Sequence, residues 1–393
     1  MSSQDELRVL IKEAFEGSDI LQRHCMEGME ISSTLDFMIS NVYKFGITRL
    51  DTVMLLLENS REEDCFNILR TAYETSMHLL LITKGKKYRQ TMTYTITPDQ
   101  GSTPEQARER TYQKWHAGWK SKQPEYANVV DIQRGRKKDT IVVVHQWEGL
   151  YSAQDTEKKE KPVAMQFFAL EEFDPEDAFV SSLTGIIEGD TFFRRNSGSD
   201  RIQVQRRVYS GHFHIEGLIK NLRINDLITR LQRTRLLVHY SYLSAFTHPT
   251  RKAIDFGEEL RSTMARPADV EHLILLYIAK FHELLLSSVI DFYSEVNPKS
   301  QLTGEKSLVA RLKIATQDLW FIWDEPTEYD KFDSEGRKEM VKQMTGETVD
   351  PGLVLYYTNP LKRLVSLRLF QRGRPKPIPS WVQEVLKKAR DGS

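Results

Sequence analysis

The sequence predicts a mainly α-helical protein, in which a helical bundle is interrupted by an α+β insertion and followed by a helical C-terminal region. Apolar residues in segment 63–84 recur every three or four positions, as on the buried face of a helix. Segment 270–296 is apolar around most of its circumference, which is typical of a core helix. Segments rich in β-branched residues, which favour strands, lie between them. The predicted regions are a bundle from residues 1–85 and 216–300, an insertion over 86–215 and a C-terminal region over 301–393.

The first part of the bundle is predicted to contain three consecutive helices. Segments 3–28 and 31–59 have helical apolar spacing, and Gly46 is predicted to break or kink the second helix. The third helix, 63–84, has an apolar stripe consisting of Phe66, Leu69, Tyr73, Met77 and Leu80. Beside it, spaced four apart, are the polar residues Arg70, Glu74 and His78. Because so apolar a helix is covered on most sides, these polar groups need hydrogen-bond partners.

The insertion and the remainder of the chain show a change of pattern and then a return to helices. The predicted strands are 91–97, 140–147, 162–170 and 201–209. Segment 104–120 is predicted to be a helix, and the charged run 155–161 a solvated loop. Helical patterns resume at 215–249 and 270–296. Shorter helices are predicted at 306–323, 360–370 and 379–390, with a charged loop at 324–350.

Composition excludes several classes of protein. The 393 residues carry 55 Lys plus Arg and 55 Asp plus Glu, so no overall field favours nucleic acid or an anionic membrane. No apolar run reaches the ~18 residues of a membrane span, and the N-terminus lacks a signal-peptide core. Cys25 and Cys65 lie in helical patterns, which fits buried thiols in a reducing cytosol. These observations predict a cytoplasmic protein with no membrane partner. Since phosphate-binding, dinucleotide-binding and nucleophile-elbow motifs are missing, we do not expect an ATPase, a dehydrogenase or a typical hydrolase, and no cofactor is predicted.

Two short motifs on helical segments suggest a family. The first motif is Leu69, Arg70, Tyr73 and Glu74, and the second is Tyr240, Ser244 and His248. Over residues 31–84 and 225–251, the chain resembles a broad bacterial family of helical proteins of unknown function, related to the HEPN and abortive-infection bundles. The resemblance implies an HEPN-like helical bundle and a homodimer. Several related bundles are RNases of phage-defence or toxin–antitoxin systems, so RNA and a partner protein of a defence system are the expected partners.

The motif residues form the first candidate catalytic site. If the two helices pack antiparallel, Arg70 and Glu74 meet the stripe of Tyr240, Ser244 and His248 in a partly dry groove. The functional hypothesis is a metal-independent RNase in which His248 is a general acid or base, Arg70 holds a phosphate and Glu74 orients one of them. The alternative is a structural network, because a buried Arg–Glu pair can determine which helices pack together.

Arg233 and His239 form a second candidate catalytic pair. The HEPN RNase signature is an arginine followed, a few residues later, by a histidine, and this pair has that spacing. The signature, which allows four to six residues between the two, also fits Arg110 with His116, Arg207 with His212 and Arg266 with His272. Spacing alone therefore does not single out Arg233 and His239.

An aromatic and basic segment is the candidate nucleic-acid interface. Helical spacing places Tyr112, Trp115 and Trp119 on one stripe, flanked by lysines. The candidate contacts are Tyr112, Trp115, Trp119, Lys120, Arg134, Arg136 and Lys137. Bases would stack on the rings while the cations contact phosphates. In the alternative interpretation, the aromatic stripe packs against the predicted sheet.

A metal site and a non-catalytic function are the remaining alternatives. His212, His214 and Glu216 alternate and would share one face of a strand, but no further ligand set stands out, so no metal is predicted. The chain could instead be a sensor or scaffold whose insertion binds a partner protein or nucleic acid.

Overall fold

The computed structural model describes residues 3–28, 34–148, 191–197, 214–247, 267–296 and 302–316. These residues are mainly α-helical with one small antiparallel sheet, in agreement with the predicted class. The chain divides into two compact units, which are described separately. The bundle unit is Met1–Ser76 with Ile228–Ser393, and the sheet unit is Met77–Leu227, so the division falls inside the third helix.

The bundle unit is organised around one long buried helix. Its helices are α1 (Ser3–Gly28), α2 (Thr34–Glu58), the part of α3 (Glu62–Lys84) up to Ser76, α7 (Arg230–Leu243), α8 (Pro267–Val296) and α9 (Thr303–Ala315). Side chains 273–286 of α8 are all buried, and α1, α2 and α9 pack against this helix. By length and composition, the segment Glu271–Ser294 could cross a membrane, but 94% of its most apolar window is buried inside the protein, as in the core helix of a globular domain.

Gly46 allows α2 to approach two other helices of the bundle unit closely. The predicted break at Gly46 is wrong, because α2 runs without interruption from Thr34 to Glu58. A Cβ at Gly46 would lie 2.9 Å from the side chain of Leu285 and 3.3 Å from that of Thr75. Gly46 therefore provides room for packing and does not end the helix.

The core of the bundle unit also contains polar groups. On α8, Lys280 Nζ lies 2.8 Å from Glu283 Oε2, and both side chains are almost fully buried. The ring of His282 is buried and meets Phe15 of α1 edge-on, with 4.4 Å between ring centroids. Burial lowers the pKa of His282 to about 3, although a hydrogen bond with the Ile278 backbone opposes this shift.

The sheet unit contains three antiparallel strands. They are β1 (Lys87–Thr95), β2 (Val129–Arg134) and β3 (Thr140–Glu148), in the order β1-β3-β2. The predicted strands at 91–97 and 140–147 correspond to β1 and β3, whereas β2 was not predicted. Helix α4 (Pro104–Lys120) packs against β2 and β3, and begins with a capping box of Thr103 and Gln106. Two further helices are α5 (Thr191–Ser197) and α6 (Ile215–Ile224), which packs against β1.

The helical pattern predicted over 215–249 corresponds to two helices, α6 and α7. Helix α6 ends at Ile224, Asp226 follows with φ +55°, and α7 begins at Arg230. Thr229 starts the new helix, because its hydroxyl accepts from the Gln232 amide (3.2 Å) while the Gln232 side chain accepts from the Thr229 amide (2.7 Å). The predicted elements at 155–161, 162–170, 201–209, 324–350, 360–370 and 379–390 lie outside the described residues.

Candidate functional site

Helices α3 and α7 meet in the bundle unit along the faces that carry the two motifs. The hydroxyl of Tyr73 donates to the carbonyl of Leu236 (3.0 Å), and the Tyr73 ring packs on Phe281 with 5.7 Å between centroids. Phe66 stacks on Phe246, with 4.5 Å between ring centroids. Phe246 belongs to the short 3₁₀ helix Ser244–Phe246, which follows α7. Burial, followed by the charge of Glu74, raises the pKa of Tyr73, so its hydroxyl remains a donor.

Arg70 joins the two helices at this contact. Its Nη2 donates to the hydroxyl of Tyr240 (2.8 Å) and its Nη1 to the hydroxyl of Thr247 (3.0 Å). Its Nε lies 3.4 Å from Glu74 Oε1, and the guanidinium carbon lies 5.1 Å from the centre of the Tyr240 ring. The side chains of Arg70 and Glu74 are 25% and 34% exposed, so the pair lies at the edge of the core. We call Arg70, Glu74, Tyr240 and Thr247 the Arg70 cluster.

The end of α7 connects this cluster to the other predicted site residues. Thr247 donates from its hydroxyl to the carbonyl of Ser244 (2.8 Å) while it accepts from Arg70. The Ser244 hydroxyl oxygen is buried and has no hydrogen-bond partner among the described residues. His248 follows Thr247 directly but lies outside the described residues, so its catalytic role stays a prediction. Sequence reasoning missed Thr247, since it lies beyond α7 and off the four-residue stripe.

Arg233 and His239 do not form a common site. Six residues along a helix separate two side chains by roughly 120° around the axis. His239 is fully buried and its Nδ1 lies 2.5 Å from the hydroxyl of Tyr277, whereas Arg233 is exposed. This geometry contradicts the predicted catalytic pair, because His239 is a core side chain bonded to α8.

The aromatic stripe of α4 is mostly packed against the sheet. The Trp115 ring is buried and meets Tyr94 and Phe192 edge-on, at centroid distances of 5.5 and 5.2 Å. The indole of Trp119 donates to the carbonyl of Val129 in β2 (2.9 Å). These contacts support the packing interpretation for Trp115 and Trp119, and they contradict base stacking on Trp115.

Two side chains pack against the ring of Tyr112. The guanidinium of Arg134 lies 3.8 Å from one ring centre, and His116 stacks at 5.3 Å. Arg134 also donates from Nε and Nη2 to the two carboxylate oxygens of Glu109, at 2.8 and 2.7 Å. The hydrogen bond with Arg134 is the main reason that the pKa of Glu109 is lowered to about 2. The charge of Arg134 is therefore paired with that of Glu109, and a base that stacked on Tyr112 would compete with Arg134 and His116 for the ring.

Several predicted cations of the sheet unit remain unpaired. Lys120, Arg136 and Lys137 are exposed, and their charged ends have no carboxylate partner among the described residues. The unit also has an open groove of about 690 Å³ that sequence reasoning missed. Its polar rim includes Lys114 and the ion pair of Arg195 with Glu125 (2.7 Å), above a floor of Trp115 and Phe192.

The metal alternative gains no support from the described residues. His214 and Glu216 are both exposed at the start of α6, and His212 lies outside the described part of the chain. In that part, no group of three histidine, cysteine or carboxylate side chains is arranged to hold a metal ion.

No protein-family model, curated protein sequence or solved structure matches this chain.

Proposed function

We propose that the bundle unit is an HEPN-like, metal-independent RNase that acts at the Arg70 cluster, as an effector of bacterial defence or of a toxin–antitoxin system. One observation carries the proposal: the Arg70 guanidinium is bonded by two neutral hydroxyls while part of its side chain stays exposed. A guanidinium bonded in this way keeps charge for an incoming phosphate, and its planar donors suit phosphate oxygens.

In the proposed site, His248 and Glu74 would supply the other groups that RNA cleavage requires. In the proposed reaction the ribose 2′-oxygen attacks phosphorus, forming a 2′,3′-cyclic phosphate, and the bond from phosphorus to the 5′-oxygen breaks. One side chain takes the 2′-hydroxyl proton and another gives a proton to the departing 5′-oxygen. His248 is next to Thr247, which Arg70 bonds, so we propose His248 for one of these transfers and part-exposed Glu74 for the other or for orienting the histidine.

The experiment that tests this proposal is cleavage of total RNA and tRNA in EDTA. We expect His248→Ala and Arg70→Ala to lower the cleavage rate by about 10²-fold or more, the typical contribution of one acid–base group. Arg134→Ala is the matched control, because Arg134 also lies over a tyrosine and beside a glutamate but belongs to the sheet unit. Cleavage by His248→Ala at the wild-type rate, or no cleavage by the wild type, would contradict the proposal.

The second candidate function is non-catalytic binding of RNA or of an acidic partner protein by the sheet unit. Three exposed cations without a carboxylate partner among the described residues favour it, namely Lys120, Arg136 and Lys137, since such groups contact phosphates without needing free aromatic faces. RNA binding by a wild-type protein that cleaves no RNA would support this second function. Either function is compatible with a chain that forms a homodimer or binds a cytoplasmic defence partner.

A further inference from the structure

One edge of the sheet is closed by side chains that imitate a strand. β1 is an edge strand among the described strands, and its outward backbone groups bond Asn221 of α6 and Asn225, the residue that follows α6. The Asn225 side chain accepts from the Lys87 amide (2.8 Å) and donates to the Lys87 carbonyl (2.7 Å). The Asn221 side chain does the same at Arg89, with distances of 2.6 and 2.9 Å. Each side-chain amide thus replaces one residue of a neighbouring strand.

The row of side-chain hydrogen bonds to β1 does not continue at Gly217. Four helical residues advance by about 6 Å and two strand residues by about 6.8 Å, so side chains four apart on α6 keep in step with alternate residues of β1. After Asn225 at Lys87 and Asn221 at Arg89, the next position is Gly217 at Thr91. Glycine has no side chain with which to bond the strand.

The described residues do not close the rest of this edge in the same way. Backbone groups alternate in direction along an antiparallel strand, so those of Thr91, Thr93 and Thr95 point the same way as those of Lys87 and Arg89. The three threonine side chains are exposed, and Lys220 Nζ donates to the Thr91 hydroxyl (2.8 Å). An uncovered strand edge is a template for pairing with another strand.

We propose that this edge pairs with the same edge of a second copy of the chain, antiparallel, with Thr93 opposite Thr93 and Thr91 opposite Thr95. On the exposed face of this register threonines lie opposite threonines, which is a favourable cross-strand pair, and Met92 lies opposite Tyr94 on the buried face, so no like charges are opposed. Lys87 and Arg89, which would bring positive charge to such a pairing, are occupied by α6. The edge is therefore complementary to itself, which favours a second copy over an unrelated strand.

The size of the contact determines how strong the association is. The pairing joins three residues of each copy, well below the ~800 Å² that each partner buries in an interface of standard size. The dimer is therefore weak and reversible, and it is best detected by covalent trapping. This inference does not depend on the proposed RNase activity.

Disulfide trapping of the purified full-length chain tests the register. In a hydrogen-bonded antiparallel pair the Cα atoms lie about 5.5 Å apart, within reach of a disulfide. Thr93→Cys is expected to form a disulfide dimer under mild oxidation at least about tenfold faster than Thr97→Cys. The two copies of Thr97, also exposed, would lie roughly 27 Å apart in this register. Cys25 and Cys65 are present in both variants, so they do not affect the comparison.

A mixture of two variants tests the direction of the strands. Thr91→Cys and Thr95→Cys are expected to cross-link to each other when mixed, while each alone remains monomeric, since like positions are roughly 13 Å apart. Gly217→Asn, added to Thr93→Cys, is expected to slow trapping by extending the row of asparagines. If that variant fails to fold, Thr95→Pro serves instead, because proline removes only the outward amide at that position.

Three results would overturn the proposal. The first is trapping of Thr93→Cys no faster than Thr97→Cys. The second is self-cross-linking of Thr91→Cys as efficient as that of the mixture. The third is a pure Thr93→Cys protein that stays monomeric but cross-links to another polypeptide in cells, which would assign the edge to a foreign strand.

Discussion

The two units each contain an arginine that lies over a tyrosine and beside a glutamate, but the two arginines are bonded differently. In the sheet unit, Arg134 donates twice to Glu109 and lies 3.8 Å from the Tyr112 ring centre. In the bundle unit, Arg70 donates to two hydroxyls and approaches its glutamate only through Nε, at 3.4 Å. The side chain of Arg134 is 44% exposed and that of Arg70 is 25% exposed.

This difference separates a structural surface pair from a site that can respond to a ligand. A bidentate carboxylate cancels the charge of Arg134 and fills the donors that a phosphate would need. The hydroxyls of Tyr240 and Thr247 fill donors of Arg70 without cancelling its charge. The same three residue types therefore give opposite expectations for anion binding.

The largest expected effect is on stability when each arginine is removed. Arg70→Met is expected to lower the free energy of unfolding by about 2–3 kcal/mol, because hydrogen bonds to a charged donor are lost where the site is mostly buried. Arg134→Met, at an exposed pair, is expected to leave the midpoint of urea denaturation unchanged. Equal shifts of the two midpoints would show that the two arginines are equivalent and would remove the basis of the comparison.

The next effect is a loss of folding stability at low pH, which arises from His282 in the core of the bundle unit. Burial of His282 lowers its pKa from 6.5 to about 3, so the folded state favours the neutral ring. Its contribution to stability is complete above pH 6.5 and is lost as the pH falls from 6.5 towards 3, amounting to about 2 kcal/mol at pH 5. When the pH falls from 7 to 5, the free energy of unfolding is expected to decrease less for His282→Leu than for the wild type. Urea denaturation of both proteins at the two pH values measures this difference. An unchanged pH dependence would contradict this assignment.

A smaller effect tests the hydroxyls of the Arg70 cluster directly. Tyr240→Phe removes one acceptor of Arg70 and is expected to lower the free energy of unfolding by about 1.5 kcal/mol. Tyr112→Phe keeps the ring that packs beneath Arg134 and removes a hydroxyl that interacts with a solvent-exposed guanidinium, so it is expected to have a much smaller effect. If Tyr112→Phe lowered stability as much as Tyr240→Phe, the hydroxyls would not distinguish the two sites.

The sequence predicted correctly those features that depend on the spacing of residues along a single helix. The four-residue spacing of Arg70 and Glu74 on α3, and of Leu236 and Tyr240 on α7, predicted the helix faces that meet. The apolar breadth of segment 270–296 predicted the core helix α8. Such features depend on local geometry, which the sequence carries directly.

Other features depend on contacts between distant residues or on short turns. The strand β2 has only six residues, and its pairing with β3 is not visible in the chain pattern. The burial of His239 follows from Tyr277 on another helix, and the covering of Tyr112 follows from Arg134 on β2. By contrast, the break between α6 and α7 was predictable, since Thr229 and Gln232 form a capping box that the helical pattern concealed.

The smallest expected effect tests whether the sheet unit binds nucleic acid through charge alone. Arg136→Ala and Lys137→Ala each remove one exposed cation without a carboxylate partner in the described part of the chain, so each should weaken RNA binding by only a few-fold. Because each phosphate contact releases counterions, each change should also lower the slope of log affinity against log salt by about 1. Arg134→Ala is the matched control and should leave the slope unchanged, since Glu109 already occupies its donors. A reduced slope for Arg134→Ala would mean that RNA displaces the glutamate, and the contrast between the two arginines would then be one of degree.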